Sequence, residues 1–331
     1  ARALRAPLAL GALLAAWGKL SRTLAVVAER LPYGREPLQF GDLVRPAAAA
    51  GGARACQGVV MLVHGGFWRA GYDRSLMKAL AEDLVEKGLA VWNVEYRSVG
   101  SGGGYPQTLE DLSLAADWLA GPAAAERGLC VGSADGRQGV PYAMVGHSAG
   151  GHLVSWLGLR QLVGEAAVPG PPGPGCGALP RVVVAQAGVV DIVGAYEEFL
   201  GRGAVRDLLG TPPSDLALRA RAALRGALLD PLAPPADDAD ARYLSADPCA
   251  LATLASFEGS PVFGLVHGSE DEIVPPEQSR RLAEILRAAG AASRVRLEVV
   301  RGEAHFEHLD PRSACWRAAA RLLAEGLGVG G

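Results

Sequence analysis

Apolar residues recur along the chain at two spacings that predict a succession of strands and helices. From Val59 onward, short apolar runs alternate with segments whose apolar positions lie three or four residues apart. The predicted strands are Val59 to Val63, Leu89 to Glu95, Tyr142 to Val145, Val182 to Gln186, Pro261 to Val266 and Val295 to Val300. The predicted helices are Arg74 to Lys87, Thr108 to Leu119, Ala149 to Leu162, Pro276 to Ala289 and Arg312 to Leu327. This alternation is typical of an α/β fold with a mostly parallel central sheet and helices on both faces.

Two segments interrupt the alternation. Val163 to Pro180 contains a run of Pro and Gly residues and is expected to form an exposed loop. Residues 196–253 can hold several short helices between two strands. We expect this insertion to form a lid above the carboxyl ends of the strands, where open α/β sheets bind ligands. Leu38 to Val44 is expected to add an edge strand, so that one domain spans residues 33–331.

Residues 1–32 form a separate, acid-poor amphipathic segment whose first acidic residue is Glu29. Its apolar positions recur at helical spacing and are Leu10, Leu13, Leu14, Trp17, Leu20, Leu24, Val27 and Leu31. The pattern favours a helix with one of three roles: an organellar targeting segment, a membrane-surface or signal-anchor helix in which residues 1–31 contact the membrane, or a helix docked on the domain. The location is therefore left open between the cytoplasm and an organelle.

Composition narrows the classes of function. With 331 residues, half of them apolar, the chain can bury a large core. The net charge is −3, from 32 basic and 35 acidic residues spread along the chain, so no basic face for nucleic acid is expected. The five cysteines contain no C-x-x-C pair, which argues against a disulfide framework or a zinc ribbon. A small-molecule substrate is the expected partner.

A serine motif lies between a predicted buried strand and a predicted helix. Gly146-His147-Ser148-Ala149-Gly150 fits G-x-S-x-G in the structural context that this motif requires. Small residues let the chain make a sharp turn that exposes the hydroxyl, and the helix amino terminus supplies unpaired N–H groups. Ser148 is therefore the predicted nucleophile of an α/β-hydrolase fold, and the alternative is a glycine-rich turn without chemistry.

A serine nucleophile needs an acid and a histidine, which follow it in that order in this fold. Asp271 and His305 each come shortly after a predicted strand, so both are expected at the carboxyl edge of the sheet. The rivals are Glu270, Glu272 and Asp191 for the acid and His308 for the base. His308 is expected to be exposed or to cap a helix, and His152 and His267 are expected to be structural. A metal site at His305-x-x-His308 is disfavoured because no further ligand cluster accompanies it.

A glycine-containing stretch directly follows the first predicted strand of the series. In His64-Gly-Gly-Phe-Trp68 the glycines allow the backbone to turn its N–H groups inward. The amides of Gly66 and Phe67, with that of Ala149, are expected to form an oxyanion hole. Trp68 is expected either to pack in the core or to line a substrate pocket. His64, Val94-Glu-Tyr-Arg97 and Asp111 are expected to brace the structure.

Five motifs together resemble the kynurenine formamidase (arylformamidase)-like branch of the α/β-hydrolases, which is related to the hormone-sensitive-lipase-like esterases. They are His64-Gly-Gly-Phe-Trp68, Val94-Glu-Tyr-Arg97, Gly146-His-Ser-Ala-Gly150, His267-Gly-Ser-Glu-Asp271 and Ala304-His-Phe306. The resemblance implies the triad Ser148, Asp271 and His305, an oxyanion loop at His64 to Trp68, and no metal or organic cofactor. Similar motifs occur in prenylcysteine methylesterases and in small acetyl or feruloyl esterases.

The sequence thus predicts a serine hydrolase that cleaves a carboxylic ester of a small or aryl substrate through an acyl-enzyme. Hydrolysis of an N-formyl arylamine is the alternative within the same class. A non-catalytic binding protein that keeps the fold is the alternative from another class.

Overall fold

Eight strands form the central sheet. The computed structural model describes residues 26–46, 56–131, 139–163, 170–175, 178–213 and 238–329. The strands are β1 (Val26–Pro32), β2 (Phe40–Pro46), β3 (Val59–Val63), β4 (Ala90–Val94), β5 (Tyr142–His147), β6 (Val182–Gln186), β7 (Val262–Gly268) and β8 (Val295–Val300). Their order in the sheet is β1-β2-β4-β3-β5-β6-β7-β8. In the described sheet, β2 runs antiparallel to β1 and β4 and the other five strand pairs are parallel, which confirms the prediction of a mostly parallel sheet.

Helices cover both faces of the sheet. They are α1 (Lys78–Glu86), α2 (Gln107–Ala120), α3 (Pro122–Ala125), α4 (Ala149–Arg160), α5 (Ile192–Glu197), α6 (Ala204–Leu209), α7 (Asp238–Ala246), α8 (Pro248–Leu254), α9 (Glu277–Leu286) and α10 (Ala314–Leu327). On one face, Val60 and Leu62 of β3 join a core with α1 and α10. On the other, Val59, Met61 and Val63 join a core with α2, α4 and α9. Because both faces are buried, β3 is apolar at every position rather than at every second one.

The amino-terminal end of the described chain differs from its prediction. Val26–Pro32, the end of the expected helix, is strand β1 and pairs along its whole length with β2. The spacing of Val27 and Leu31 fits a helix locally, but the hydrogen bonds that β2 offers cannot be read from that spacing. The helix prediction is therefore wrong for these residues, and β2 lies one strand in from the edge. Residues 1–25 of the predicted segment lie outside the described residues.

The connection between β6 and β7 holds α5, α6, α7 and α8. Of the predicted insertion, residues 196–213 and 238–253 are described, and the intervening residues of that prediction lie outside the described parts. No helix in the described chain combines the length and hydropathy needed to cross a bilayer. The insertion follows the carboxyl end of β6, so its helices start at the same edge of the sheet as the predicted site.

The parallel strands bring the predicted site residues to one edge. Since β3, β5, β6, β7 and β8 are parallel neighbours, their carboxyl ends lie side by side. The register pairs Val63 of β3 with Gly146 of β5, and Gly268 of β7 with Val300 of β8. The loops that follow these four strands carry the oxyanion stretch, Ser148, Asp271 and His305.

Candidate active site

Ser148 occupies a sharp turn between β5 and α4, as its motif predicts. Its φ of 56° and ψ of −118° are unfavourable for a residue with a β-carbon. Its N–H donates to the carbonyl oxygen of Gln186 at the end of β6, at 2.8 Å. A β-carbon on Gly146 would lie 2.0 Å from the carbonyl oxygen of Gly150, and one on Gly150 would lie 2.1 Å from that of Val63. The turn therefore requires glycine at both ends of the motif.

His305 and Asp271 form a buried pair in the loops after β8 and β7. Nδ1 of His305 lies 2.7 Å from Oδ2 of Asp271. Oδ1 of Asp271 accepts hydrogen bonds from the backbone N–H groups of Ile273 and Val274, each at 2.9 Å. An ionised carboxylate only accepts, so the imidazole donates through Nδ1. Nε2 is then the ring nitrogen left for another partner.

His267 is a second imidazole on the same carboxylate oxygen. Its Nε2 lies 2.8 Å from the carbonyl oxygen of Val274 and 3.3 Å from Oδ2 of Asp271, and its Nδ1 lies 2.8 Å from Oγ of Ser279. Both ring nitrogens have partners, as expected for a structural histidine. Burial raises the pKa of Asp271, but hydrogen bonds from His267 and His305 outweigh it and hold that pKa well below its usual range. Asp271 is therefore ionised at neutral pH.

The loop that carries His305 is bonded to the serine turn. His147 precedes Ser148, and its Nε2 donates to the carbonyl oxygen of His305 at 2.9 Å, with the two ring centroids 4.7 Å apart. Burial lowers the pKa of His147 to about 3, so this imidazole is neutral. This contact holds the loop of His305 beside the turn of Ser148. Because His305 is also hydrogen-bonded to Asp271, the three predicted residues belong to one cluster.

The loop after β3, residues 64–70, lies against the serine turn. A β-carbon on Gly65 would lie 2.9 Å from the β-carbon of Ser148. Within the described parts of the chain, neither the Gly66 nor the Phe67 N–H has a hydrogen-bond acceptor. Ala149 is the first residue of α4, so its N–H has no acceptor inside the helix. These three amides are the ones that the sequence predicts for an oxyanion hole.

Trp68 packs in the core, one of the two roles expected for it. Its side chain has 0% exposure, and its Nε1 donates to Nδ1 of His152 at 3.2 Å. Nε2 of His152 in turn donates to the carbonyl oxygen of Ala246 in α7, at 2.8 Å. The structure does not bring Trp68 to the surface of the site. Phe67, which is partly buried, is the aromatic residue of this loop that retains exposed surface.

The residues expected to brace the structure do so. Nε2 of His64 lies 3.0 Å from Oε1 of Glu95, and the ring of His64 stacks on Tyr96 at 4.3 Å. Arg97 forms an ion pair with the buried Asp111 at 2.7 Å. The contacts of His64 tie the loop after β3 to the segment after β4, and the ion pair ties that segment to α2.

The rival acids have other roles or surroundings. Asp191 caps α5 by accepting the N–H of Gly194 and forms an ion pair with Arg281. Glu270 and Glu272 are exposed, whereas Asp271 between them is buried. Asp271 is thus the member of this group that the structure pairs with His305.

His308 differs from its prediction. It was expected to be exposed or to cap a helix, but it is fully buried in the short 3₁₀ turn Glu307–Leu309. Its ring centroid lies 6.0 Å from that of His147 and 6.4 Å from that of His267. Burial lowers its pKa well below the usual range, so it is neutral. Across the described residues, no group of three or more His, Cys, Asp or Glu side chains could hold a metal ion.

Sequence reasoning missed Arg69, which directly follows the oxyanion stretch. Its Nη1 donates to the carbonyl oxygen of Gly201 at 2.7 Å, and its Nη2 donates to Oδ2 of Asp207 at 2.6 Å. Both partners belong to the insertion. The only signal in the sequence was a basic residue next to the motif, because its partners lie 132 and 138 residues away.

Sequence comparison assigns the family. Residues 60–318 match the alpha/beta hydrolase family, which is most of the chain and includes Ser148, Asp271 and His305. The chain belongs to this family. No curated protein matches this hydrolase in sequence.

Solved esterase structures share the fold of the hydrolase. Esterase B from Lactobacillus rhamnosis is 19% identical with a TM-score of 0.70, and the match covers 97% of this chain and 95% of that one. A truncated carbohydrate esterase from gut microbiota is 17% identical with a TM-score of 0.66, covering 92% and 96%. Esterase 2 from Thermogutta terrifontis is 20% identical with a TM-score of 0.60, covering 90% and 92%. At these identities the similarity shows the α/β-hydrolase fold alone.

Proposed function

We propose that this hydrolase cleaves a carboxylic ester of a small or aryl substrate, with Ser148 as nucleophile, His305 as general base and Asp271 as the acid that orients it. The observation that carries the proposal is the 2.7 Å contact between His305 and the ionised Asp271, bonded through His147 to the serine turn. A nucleophile, a base and an oriented acid are the minimum that serine catalysis requires.

In the first half of the reaction, Nε2 of His305 takes the hydroxyl proton as Oγ of Ser148 attacks the ester carbonyl carbon. The carbonyl π bond breaks and its electron pair moves to oxygen. The amides of Gly66, Phe67 and Ala149 donate to that oxyanion. Removing one such donor costs about 3 kcal/mol of transition-state stabilisation in other serine hydrolases.

In the second half, the bond from carbon to the leaving oxygen breaks, and His305 returns its proton to the departing alcohol. This leaves an acyl-enzyme on Ser148. Water then attacks the acyl carbon while His305 accepts one of its protons, and collapse of the second intermediate releases the carboxylic acid and restores the serine hydroxyl. Asp271 stays ionised throughout and stabilises the imidazolium that forms twice in each turnover.

The names of the structural neighbours support ester hydrolysis over the other chemistries of the fold. The three neighbours described above are all named esterases, and the Thermogutta enzyme is also described as phosphoramylated by tabun. Organophosphorus reagents react with activated serine hydroxyls, so a fluorophosphonate is a suitable probe of Ser148.

The decisive experiment compares the wild-type chain with Ser148→Ala on p-nitrophenyl acetate. We expect kcat to fall by at least roughly 10⁴-fold, because the variant has no nucleophile. A fluorophosphonate should label the wild-type chain at Ser148 and leave the variant unlabelled. An active Ser148→Ala variant would overturn the assignment of the nucleophile. A folded wild-type chain that neither turns over the ester nor reacts with the probe would instead be a binding protein with a hydrolase fold.

The choice between ester and formamide rests on a second substrate. N-formylkynurenine tests the alternative that the sequence motifs raise, since an arylformamidase should prefer it strongly in kcat/KM. We expect p-nitrophenyl acetate and its short-chain homologues to be the better substrates. A large preference for N-formylkynurenine would replace the ester assignment and keep the same catalytic residues.

A further inference from the structure

The oxyanion loop, residues 64–70, has a backbone that its own residues do not favour. Phe67 and Trp68 have φ values of 51° and 56°, in the left-handed region that suits glycine. Such conformations persist only where surrounding structure holds them. The loop must therefore be fixed by contacts outside itself.

Arg69 supplies one such contact from the loop to the insertion. Its guanidinium donates to the carbonyl oxygens of Gly201 and Arg202, at 2.7 and 3.4 Å, and to Oδ2 of Asp207 at 2.6 Å. Two of these acceptors lie in the 3₁₀ turn Leu200–Arg202 and one lies in α6. A planar fork that bonds several acceptors in one orientation restrains the backbone that carries it more than a single bond does.

The ring of Phe67 supplies a second contact at the same turn. Gly201 has no side chain, and a β-carbon there would lie 2.5 Å from Cδ1 of Phe67. The insertion thus has a glycine at the position where the ring of Phe67 packs against the backbone of the insertion. Phe67 and Arg69 therefore contact the same 3₁₀ turn, the first through its ring and the second through its guanidinium.

Trp68 supplies a third contact through the interior. Its indole N–H donates to His152, and His152 donates onward to the carbonyl oxygen of Ala246 in α7. Burial lowers the pKa of His152 to about 4, so the ring is neutral and can accept with one nitrogen while it donates with the other. His152 lies in the first turn of α4, and its N–H donates to the carbonyl oxygen of Ser148 at 3.2 Å.

We infer that the 3₁₀ turn Leu200–Arg202, Asp207 and Ala246 of the insertion act as a clamp that holds the oxyanion loop in position to receive an oxyanion, with Arg69 and His152 as positioning residues. The inference rests on the proposed function, because it assigns a task to the amides of that site. It also changes the expected role of the insertion. The sequence predicts a lid, and the clamp adds a second task in which the insertion sets the position of two of the three oxyanion donors.

The central test compares Arg69→Met with Arg206→Met. Both variants remove one guanidinium, but Arg206 is an exposed residue of α6 next to Asp207. We expect Arg69→Met to lower kcat roughly 10- to 100-fold with little change in KM. The displaced amides would lose their hydrogen bonds to the transition-state oxyanion, whereas binding of the uncharged ester depends on them much less. Arg206→Met should keep the wild-type kcat. Hydrogen exchange at the amides of residues 65–70 should become faster in Arg69→Met and stay unchanged in Arg206→Met.

Trp68→Phe tests the interior contact, because it removes the indole N–H and keeps an aromatic ring. We expect a smaller fall in kcat and faster exchange at the same amides. If both contacts hold one loop, the double variant should lose less than the product of the two single effects, since the second change finds the loop already displaced. Independent effects that multiply would contradict a single clamp.

The outcomes separate this inference from the proposed function. A wild-type chain with no hydrolytic activity removes both. An active wild-type chain with an unchanged kcat in Arg69→Met overturns the clamp alone, as does a fall in kcat without faster exchange in the loop. Should Arg69→Met fail to fold, Asp207→Asn decides the same question, because it weakens the ion pair from a partly exposed position.

Discussion

The two ends of the parallel strands differ in which residues adopt left-handed backbone conformations. At the amino ends of the strands and in the turns that lead to them, left-handed conformations fall on glycines such as Gly88, Gly128, Gly259 and Gly290. On the carboxyl side, glycines such as Gly66 and Gly302 adopt them too, but so do residues with side chains. In the described chain these are Phe67, Trp68, Ser148, Ala187, Phe199 and Arg202. Glycine makes a turn at low cost, whereas strain in other residues is retained where it places a functional group.

The histidines follow the same division. All six histidines of the chain lie at or after the carboxyl ends of strands, and none lies near the amino ends. Four of them, His147, His267, His305 and His308, contact one another or share a partner. The carboxyl edge therefore concentrates both the histidines and the residues with strained backbones.

The largest effect should come from the acid of this edge. Asp271→Asn should lower kcat by roughly 10⁴-fold while the fold stays intact, because an amide no longer favours the Nδ1–H form of His305. Asp191→Asn is the matched control, since Asp191 lies in the loop after the neighbouring strand β6 and is the rival acid of the sequence analysis. Steady-state kinetics on p-nitrophenyl acetate measure both variants. If Asp191→Asn lost activity and Asp271→Asn kept it, the acid would be Asp191 instead.

Acid should destabilise the protein through the same edge. Burial lowers the pKa of His147 to about 3 and that of His152 to about 4, from 6.5. A depressed pKa means that the unfolded chain binds the proton more tightly, so the stabilisation present above pH 6.5 is lost as the pH falls. Asp247 acts in the opposite sense, because burial and the charge of Asp191 raise its pKa to about 7.

The expected change in the free energy of unfolding follows from how many of these groups bind a proton more tightly in the unfolded chain. Three imidazoles, those of His147, His152 and His308, act against one carboxyl, so the unfolded chain binds more protons and the free energy of unfolding should fall by at least about 3 kcal/mol between pH 6.5 and 4. Urea titrations across this range measure it. Asp247→Asn removes the opposing contribution and should make the fall steeper. A flat profile in both chains would show that the buried histidines do not govern acid stability.

The smallest effect tests the backbone comparison directly. Gly259 has φ 68° and no atom within 4 Å of where a β-carbon would lie, so Gly259→Ala should cost about 1 kcal/mol from conformation alone. Ala187 has φ 47° on the carboxyl side, where relief of strain in Ala187→Gly should roughly offset the loss of one buried methyl group. Urea denaturation distinguishes the two. A loss above about 1 kcal/mol in Ala187→Gly would mean that Ala187 is not strained.

The sequence was sufficient to predict those parts of the fold in which each residue type is constrained by its immediate surroundings. The apolar run of β3 and the serine turn before α4 were predictable, because burial on both faces and a tight turn each constrain residue type directly. Strand β1 was not predictable in the same way. Seven residues with mixed spacing become a strand because β2 is available to pair with them, and pairing is a property of the assembled sheet.

In the candidate site, too, some features could be predicted from the local sequence and others depend on distant parts of the chain. Order along the chain predicted Asp271 and His305, because each follows a strand whose end is fixed by the fold. The burial of His308, the inward position of Trp68 and the reach of Arg69 to Asp207 depend on elements far away in sequence. Contacts of that range leave almost no periodic signal in the sequence, which is why motifs nominated the candidate triad and missed the residues that contact it from a distance.

One consequence follows from the position of β8. Within the part of the chain that the structure describes, this strand is the last of the sheet, and it carries the charged residues Arg296 and Glu298, which discourage pairing with another chain. Glu298 forms an ion pair with Arg321 of α10. Asp271 follows β7 and His305 follows β8, so the hydrogen bond between them spans the last strand pair of the sheet. Under the proposed mechanism, local opening of this one strand pair would inactivate the enzyme while its core is still folded.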